Sequence, residues 1–179
     1  MVKIEIVSIK KKFFQICDDS ELLHNDDLKR PYLIILKLKY RGKKIDFAIP
    51  FRSNIPPSAK EWEFYPLPPN STTKETYHHG LHFIKMFPIK KEYKEKFHTS
   101  KNEFFQKVIE AKIKKDLKLI VGKAQNYLIK YEEKIINEHS VNIDKIIETN
   151  YIYTDSNSIN YIKNILSEIG KIKYIEGEL

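Results

Sequence analysis

The sequence predicts an α+β fold: a small, strongly curved antiparallel sheet packed against a long amphipathic helix and shorter C-terminal helices. All eight prolines lie between Pro31 and Pro88, so the second half of the chain lacks the residue that most often interrupts helices. Apolar residues alternate with polar ones near the N-terminus, as in strands, and recur at intervals of three and four after Ser100, as in a helix. The 179 residues contain no Gly/Ser-rich linker, which predicts a single domain, 1–179.

The predicted strands are residues 2–8, 32–50 and 81–89. The segment 32–50 is a hairpin of strands 32–40 and 44–50, because Gly42 can take the positive φ of a tight turn. Pro50 is expected to end its second strand, so that residues 51–54 form a loop facing a groove.

The stretch between these strands, residues 54–77, carries five prolines and too little periodicity for a regular element. We predict an ordered loop there, with Trp62, Phe64 and Tyr65 packed onto the body of the protein.

A long amphipathic helix is predicted from about residue 101 to 138. Ser100 and Glu103 have the spacing of a capping box, in which each side chain bonds the other residue's backbone amide. Gly122 is the position where this helix is expected to loosen. Its polar face is rich in lysine, Lys114 and Lys118 included, which is also typical of an ordinary solvated surface. Shorter helices are predicted near 142–149 and 157–169.

The composition favours an anionic partner and excludes several classes of site. Lys and Arg total 32 against 24 Asp and Glu, a net charge of +8, which suits nucleic acid or a lipid surface and also a merely solubilising surface. The single Cys17 excludes an internal disulfide. Because no Cys/His cluster has zinc spacing and no glycine-rich nucleotide-binding motif occurs, we expect neither metal nor cofactor. The absence of a signal peptide or membrane-spanning run predicts a cytoplasmic protein.

Basic residues next to aromatic rings indicate single-stranded RNA as the partner. Cations can hold phosphates while a neighbouring ring stacks on a base, and no helix-turn-helix spacing for duplex DNA is present. Taken singly, each cluster is better explained by packing at a strand end. The clusters are Lys10 to Lys12 beside Phe13 and Phe14, Lys29 and Arg30 beside Tyr32, and Arg52, Ser53 and Asn54 beside Phe51.

Three histidines lie in the segment "YHHGLH": His78, His79 and His82. On a strand, the spacing of His78 and His82 does not bring them together as it would on a helix, so a metal site is disfavoured. Acid–base chemistry or a phosphate contact is the better functional hypothesis, and a polar turn without a role is equally compatible.

The order and spacing of these motifs resemble the ToxN/AbiQ toxins of bacterial type III toxin–antitoxin systems. A first strand is followed by Asp18 and Asp19, then by "KRPYLIIL", a glycine-centred hairpin and "AIPFRSN", where the family has a strand ending in proline and a serine three residues later. "GLHFIKMFPIKKEY" and the long helix extend the resemblance to about residue 130. Because Arg52 precedes the serine and no lysine lies two residues after it, the chain is similar to the CptN or TenpN branch.

The resemblance implies a metal-independent endoribonuclease. Such a toxin cleaves A-rich mRNA and its own repeat antitoxin RNA, whose processed pseudoknots inhibit it in a closed toxin–RNA assembly. The ribose 2′-hydroxyl would attack the adjacent phosphate and leave a 2′,3′-cyclic phosphate. Ser53 matches the family's active-site serine, and Lys29 or Arg30, with Arg52, would hold the phosphate. His79, with His78 second, is our candidate for the proton transfers.

The predicted site therefore has a catalytic set and an RNA-binding set. The catalytic set is Ser53, Arg52, His79 and Lys29. The RNA-binding set is Lys10, Lys12, Arg30, Tyr32, Asn54, His78, Lys85, Lys114 and Lys118. Two alternatives remain open at this point: a non-catalytic single-stranded RNA-binding protein that uses the same residues, and a membrane-surface protein that uses the Lys-rich helix.

Overall fold

The computed structural model describes residues 4–24, 30–97 and 105–152. The chain divides into two compact units, residues 1–142 and 143–179. The single-domain interpretation of residues 1–179 stays a prediction.

A seven-stranded antiparallel sheet is the framework of the first unit. Its strands are β1 (Ile4–Ile9), β2 (Tyr32–Tyr40), β3 (Lys43–Ile55), β4 (Phe64–Leu67), β5 (His78–His82), β6 (Phe87–Pro88) and β7 (Lys94–Lys96). The strand order is β4-β5-β3-β2-β1-β7, and β6 pairs with β3 off this path. A short helix, α1 (Lys11–Ile16), follows β1. The predicted α+β fold with an antiparallel sheet is confirmed.

The hairpin of β2 and β3 forms as predicted. Leu38 lies opposite Ile45 and Tyr40 opposite Lys43, and the turn between them places Gly42 at φ +75°. An L-residue is strained at this φ whereas glycine is not, which explains why the turn forms at this glycine.

Strand β3 does not end at Pro50, contrary to our prediction, and residues 51–54 are part of it. Up to Pro50, which lies opposite Tyr32, the strand pairs with β2; from Phe51, opposite Leu81, it pairs with β5. Proline has no amide hydrogen, so it fits a strand where the hydrogen-bond ladder is interrupted. Here it lies where β3 changes partner, and the strand continues beyond it.

Two other predictions for the first half were wrong in detail. The segment 54–77 is not entirely loop, because it contains β4, in which Phe64 and Tyr65 are buried. The predicted strand 81–89 is broken by a 3-10 turn, Phe83–Lys85. Every residue from 79 to 89 is buried, so no alternation of apolar and polar residues could reveal that turn from the sequence.

The predicted long helix is divided into a π-helical turn (Phe105–Glu110), α2 (Ala111–Lys115) and α3 (Leu117–Glu132). The interruption is at Asp116 rather than Gly122, and the Asp116 carboxylate accepts hydrogen bonds of 2.7 Å from the Tyr65 hydroxyl and from Lys112. The helix ends at Glu132 rather than 138. Lys134 has φ +63° and the Ile135 amide bonds the Lys130 carbonyl, as in a Schellman motif. The predicted capping box lies outside the described residues.

Helix α3 packs on the sheet, as predicted, chiefly against β2. Its buried face includes Ile120, Ala124 and Leu128. The Gln125 side chain donates to the Lys39 carbonyl and accepts from the Lys39 amide, at 2.8 and 2.9 Å. These bonds fix the helix relative to the end of β2.

In the second unit, α4 (Ile143–Ile147) is followed by a π-helical turn, Glu148–Ile152. The prediction of a helix near 142–149 is confirmed. The helix predicted at 157–169 lies outside the described residues.

Candidate functional site

The site begins where β3 meets β5. Arg52 lies opposite Gly80, and its Nη1 atom is 3.3 Å from Nδ1 of His82. A guanidinium can only donate, so Nδ1 of His82 accepts and the imidazole proton is on Nε2. Gly80 is required at this position, because a Cβ atom there would lie 2.2 Å from the carbonyl oxygen of Tyr65 in β4.

Arg52 and His82 line a cavity of about 420 Å³. The cavity also contains carboxylates, and Glu63 is held in place by hydrogen bonds from the Lys60 amide and the Asn137 side chain, at 3.0 and 3.1 Å. Its charged and titratable lining residues are Glu21, Arg52, Glu63, His82, Lys85 and His139. The cavity is large enough for a phosphate with part of a nucleoside.

His82 is neutral at physiological pH. It is 1% exposed, and burial, together with the neighbouring charges of Arg52 and Lys85, lowers its pKa to about 3. A histidine with this pKa cannot serve as a general acid at neutral pH. It can serve as a hydrogen-bond acceptor that orients the Arg52 guanidinium.

Lys85 is a buried cation whose charge is compensated within the protein. Its ammonium group forms an ion pair with Glu21 and donates to the His139 carbonyl at 2.7 Å. The hydrogen bond from Lys85 is the largest cause that lowers the pKa of Glu21. The His139 ring adds a second contact to Glu21, 3.6 Å away. Lys85 is therefore engaged within the fold.

Arg52 is half-buried and forms no ion pair with a carboxylate in the described part of the chain. Burial lowers its pKa first, the nearby cation of Arg30 lowers it further, and the Glu21 carboxylate raises it. Arg30 itself donates to the Phe51 carbonyl at 3.2 Å. A half-buried guanidinium that forms no salt bridge and lies near a second cation favours binding of an anion, because its hydrogen-bond donors can still be used by a phosphate or carboxylate.

Ser53 and Asn54, next to Arg52 in sequence, have different neighbours. The Asn70 side-chain amide donates to the Ser53 hydroxyl oxygen at 2.9 Å. Asn54 donates to the Thr72 carbonyl at 3.2 Å and accepts from the Lys74 amide at 2.8 Å. Ser53 does not line the cavity around Arg52. The two predicted catalytic residues of β3 thus occupy separate environments.

His79 is buried, and its Nδ1 atom lies 2.5 Å from the Pro68 carbonyl oxygen. Because a carbonyl only accepts, Nδ1 carries the hydrogen and Nε2 has the lone pair. Burial lowers the pKa of His79 and outweighs this hydrogen bond, which raises it. His79 is therefore a neutral ring with a basic nitrogen. His78 is exposed and stacks on Phe64, with ring centroids 5.0 Å apart.

Tyr32 cannot stack on a base in this structure, contrary to our prediction. It is fully buried, its hydroxyl donates to the Leu23 carbonyl, and its ring packs edge-on against Phe87. The aromatic ring next to a basic pair in the sequence serves the core here, because the strand it begins is central in the sheet.

The other predicted RNA-binding lysines lie on helical segments or beside them. Lys12 of α1 is exposed, and Lys10, just before α1, is half-buried. Lys114 and Lys118 are exposed on α2 and α3, and Lys114 lies 4.0 Å from Glu110. Lys29 lies outside the described residues.

Sequence reasoning missed several members of the site. His82 of "YHHGLH" is absent from the predicted site, because its contact with Arg52 depends on the pairing of β3 with β5. Glu21 lies far in sequence from Asn137 and His139, and neither segment carries a recognisable motif. Asn70 lies in a polar loop, and nothing in the sequence indicated that it would contact Ser53.

Within the described ranges, no group of three or more His, Cys, Asp or Glu side chains could hold a metal ion. No helix in these ranges has both the length and the apolar character needed to cross a membrane.

No protein-family model matches the chain, and no curated protein matches it either. Solved structures similar to this chain include two from work on bacterial systems. One comes from work on bacterial type III toxin–antitoxin systems and on selective toxin inhibition by a non-coding RNA pseudoknot. Its TM-score is 0.62 at 15% sequence identity, and the match covers 86% of this chain and 99% of that chain. The other concerns a bacterial antiviral system regulated by a processed non-coding RNA. Its TM-score is 0.60 at 13% sequence identity, and the match covers 80% of this chain and 95% of that chain. This chain has the same fold.

Proposed function

We propose that the chain is the toxin of a type III toxin–antitoxin system, an endoribonuclease inhibited by an RNA pseudoknot. The fold shared with a structure from such a system and the resemblance to ToxN/AbiQ toxins support this proposal, as does the net charge of +8. The single observation that supports it most strongly is the half-buried Arg52 in the cavity wall, which forms no salt bridge with a carboxylate among the described residues. We place the chain in the CptN or TenpN branch and its action in the cytoplasm.

In the proposed reaction, the ribose 2′-oxygen bonds to the adjacent phosphorus and the bond from phosphorus to the 5′-oxygen breaks. The 2′-hydroxyl gives up its proton and the leaving 5′-oxygen gains one, so the products are a 2′,3′-cyclic phosphate and a 5′-hydroxyl. This scheme balances without a metal. It requires in-line positioning, a proton acceptor and positive charge at the phosphate.

Each requirement has a candidate residue. The planar fork of Arg52 would bind two phosphate oxygens, oriented by its hydrogen bond to His82. Ser53 would donate a hydrogen bond to the phosphate. The lone pair on Nε2 of His79 would accept the 2′-proton, since Nδ1 is already bonded to Pro68. Lys29 would add positive charge, and Lys10, Lys12, Lys114 and Lys118 would contact RNA beyond the cleavage position.

Arg30, Asn54, His78 and Lys85 complete the proposed RNA-binding set with different expected contributions. Arg30 would raise the positive potential around Arg52, and His78 presents an exposed ring to a base. Lys85 is expected to contribute least, because its charge is already paired with Glu21.

The test is incubation of the purified protein with A-rich RNA in EDTA, followed by analysis of the product ends. We expect a cyclic phosphate and a 5′-hydroxyl from the wild type and loss of both with R52A and S53A. Undiminished cleavage by both variants would place the chemistry elsewhere. Co-expression with a repeat RNA encoded beside the gene should restore growth of cells that produce the active protein.

A non-catalytic single-stranded RNA-binding protein is the second candidate. It is favoured by the separation of Ser53 from the Arg52 cavity, since a site used only for binding needs no joint geometry of the two. On this alternative, the wild type binds A-rich RNA and leaves it intact, and S53A binds it as the wild type does.

A further inference from the structure

We infer that Asn70 is a positioning residue for Ser53, which fixes the direction of the Ser53 hydroxyl proton. This inference rests on the proposed function, because it assigns a role within the proposed cleavage site. It makes Ser53 a hydrogen-bond donor to the substrate and leaves the task of proton acceptor to another group.

The orientation of the Asn70 amide is determined by its neighbours. Its Oδ1 atom lies 3.0 Å from the backbone nitrogen of Thr72, and a backbone N–H can only donate. The hydroxyls of Thr72 and Thr73 lie 2.9 and 3.0 Å from the same oxygen. The oxygen therefore faces Thr72 and Thr73, and the NH₂ group faces Ser53.

The direction of the serine proton follows from this orientation. The Asn70 amide nitrogen, 2.9 Å from Oγ of Ser53, donates to one of its lone pairs. An amide NH₂ group cannot accept, so the Ser53 proton must point to some other acceptor. In the proposed reaction, that acceptor is a non-bridging phosphate oxygen, on which negative charge develops.

The loop that carries Asn70 is held against β3 by further hydrogen bonds. Asn54 bonds the backbone of both Thr72 and Lys74, and the backbone N–H of Asn70 donates to the Thr73 hydroxyl at 3.0 Å. Two neighbouring residues of β3, Ser53 and Asn54, are thus both engaged by one loop. Such a double attachment keeps the Asn70 amide at a defined position before substrate binds.

The substitution N70D tests the inference with little change of shape. The new carboxylate keeps an oxygen for Thr72 and Thr73 but presents a second oxygen, instead of an NH₂ group, to Ser53. Ser53 would then donate its proton to this carboxylate and lose it for the substrate. We expect kcat to fall about tenfold or more with little change in KM, because a donor to the developing charge is lost.

A pH profile separates this effect from a structural one. When the new carboxylate is protonated, its O–H can donate to Ser53 as the Asn70 amide does. The deficit of N70D relative to the wild type should therefore shrink as the pH falls towards about 4, the usual pKa of an aspartate. In an S53A background, N70D should leave the residual rate unchanged. T73V is the matched control for a loosened loop, since it removes two hydrogen bonds that hold Asn70, at its backbone N–H and at Oδ1, but leaves Ser53 and the NH₂ group that faces Ser53 in place.

The outcomes distinguish this inference from the proposed function. If S53A is inactive and N70D cleaves like the wild type, the role of Asn70 is overturned and the proposed function stands. If T73V and N70D lose activity equally and both melt at lower temperature, Asn70 is structural and the inference is again overturned. If the wild type leaves RNA intact under all conditions, both proposals are overturned.

Discussion

Arg52 and Lys85 are cations in the wall of the same cavity, and their charges are compensated in different ways. Lys85 is paired with Glu21 and bonded to the His139 carbonyl. Arg52 contacts a histidine that is neutral at physiological pH, and Glu21 raises its pKa without forming a salt bridge to it within the described ranges. A buried cation with an internal counter-ion belongs to the fold, whereas a half-buried cation without one is better suited to bind an external anion. Within this one cavity we therefore assign Lys85 to the stability of the fold and Arg52 to function.

The largest expected effect is on cleavage, at Arg52. R52A should slow cleavage of A-rich RNA by about a hundredfold, equivalent to about 3 kcal/mol, because one electrostatic stabiliser of the developing charge is lost. R52K should recover only part of the rate, since the bidentate fork is missing. Single-turnover rates measure the effect, and thermal melting of R52A should match the wild type. A large drop in melting temperature would assign Arg52 to the fold instead.

The second effect is on stability, at Lys85. K85M should lower the free energy of unfolding by about 2 kcal/mol, because it leaves Glu21 and the His139 carbonyl without their shared partner. Chemical denaturation measures this loss. The double variant K85M with E21Q should be more stable than K85M alone, because the unpaired carboxylate is gone. Equal stability of the two variants would contradict the importance of the ion pair.

The third effect is the pH dependence of the free energy of unfolding, which differs between His82, the partner of Arg52, and Glu21, the partner of Lys85. The pKa of His82 is about 3 in the folded protein against 6.5 when unfolded, so below pH 6.5 the unfolded state binds the proton and stability falls. The loss should be about 1 kcal/mol over the first pH unit below that value. H82Q should remove the part of this loss that is due to His82, while its side-chain oxygen still accepts from Arg52 and the lowered pKa of His79 leaves a smaller loss in the same range.

Glu21 gives a different pH window. Its folded pKa is lowered, so the stability that it contributes is present above 4.5 and is lost as the pH falls through the folded value. Unfolding curves at several pH values should therefore show a larger loss below pH 6.5 in the wild type and E21Q than in H82Q, where of these two buried histidines only His79 remains, and E21Q should lack the part of the loss that begins near pH 4.5. The same pH dependence in all three proteins would rule out both assignments.

The smallest effect concerns the exposed lysines of α2 and α3. K114Q and K118Q should each reduce the salt dependence of RNA affinity by about 0.7 in the log–log slope, as expected for one lost phosphate contact to a single strand. Cleavage at saturating RNA should be unchanged, because these lysines are outside the cavity. Fluorescence anisotropy at several salt concentrations measures the slope. K134Q, just beyond the end of α3, is the control variant, because it removes one positive charge at a position that is not predicted to contact RNA.

The sequence by itself determined the features that depend on neighbouring residues. Alternation of apolar residues and the glycine at position 42 were enough to predict the β2–β3 hairpin. The apolar periodicity of the second half predicted helix, and the basic residue two positions after Pro50, Arg52, predicted a phosphate contact. These signals are local because turn conformation and amphipathic periodicity depend on residues a few positions apart.

The tertiary structure alone decided which side chains meet. That β3 continues past Pro50 depends on a new partner strand about 30 residues away, and the contact of Arg52 with His82 follows from that pairing. Lys85 is buried rather than surface-exposed because Glu21 and His139, distant in sequence, supply its counter-ion and acceptor. Asn70 faces Ser53 because a loop folds back on the strand. Contacts of this kind leave no periodic signal in the sequence, since they join residues whose separation along the chain is set by the whole fold.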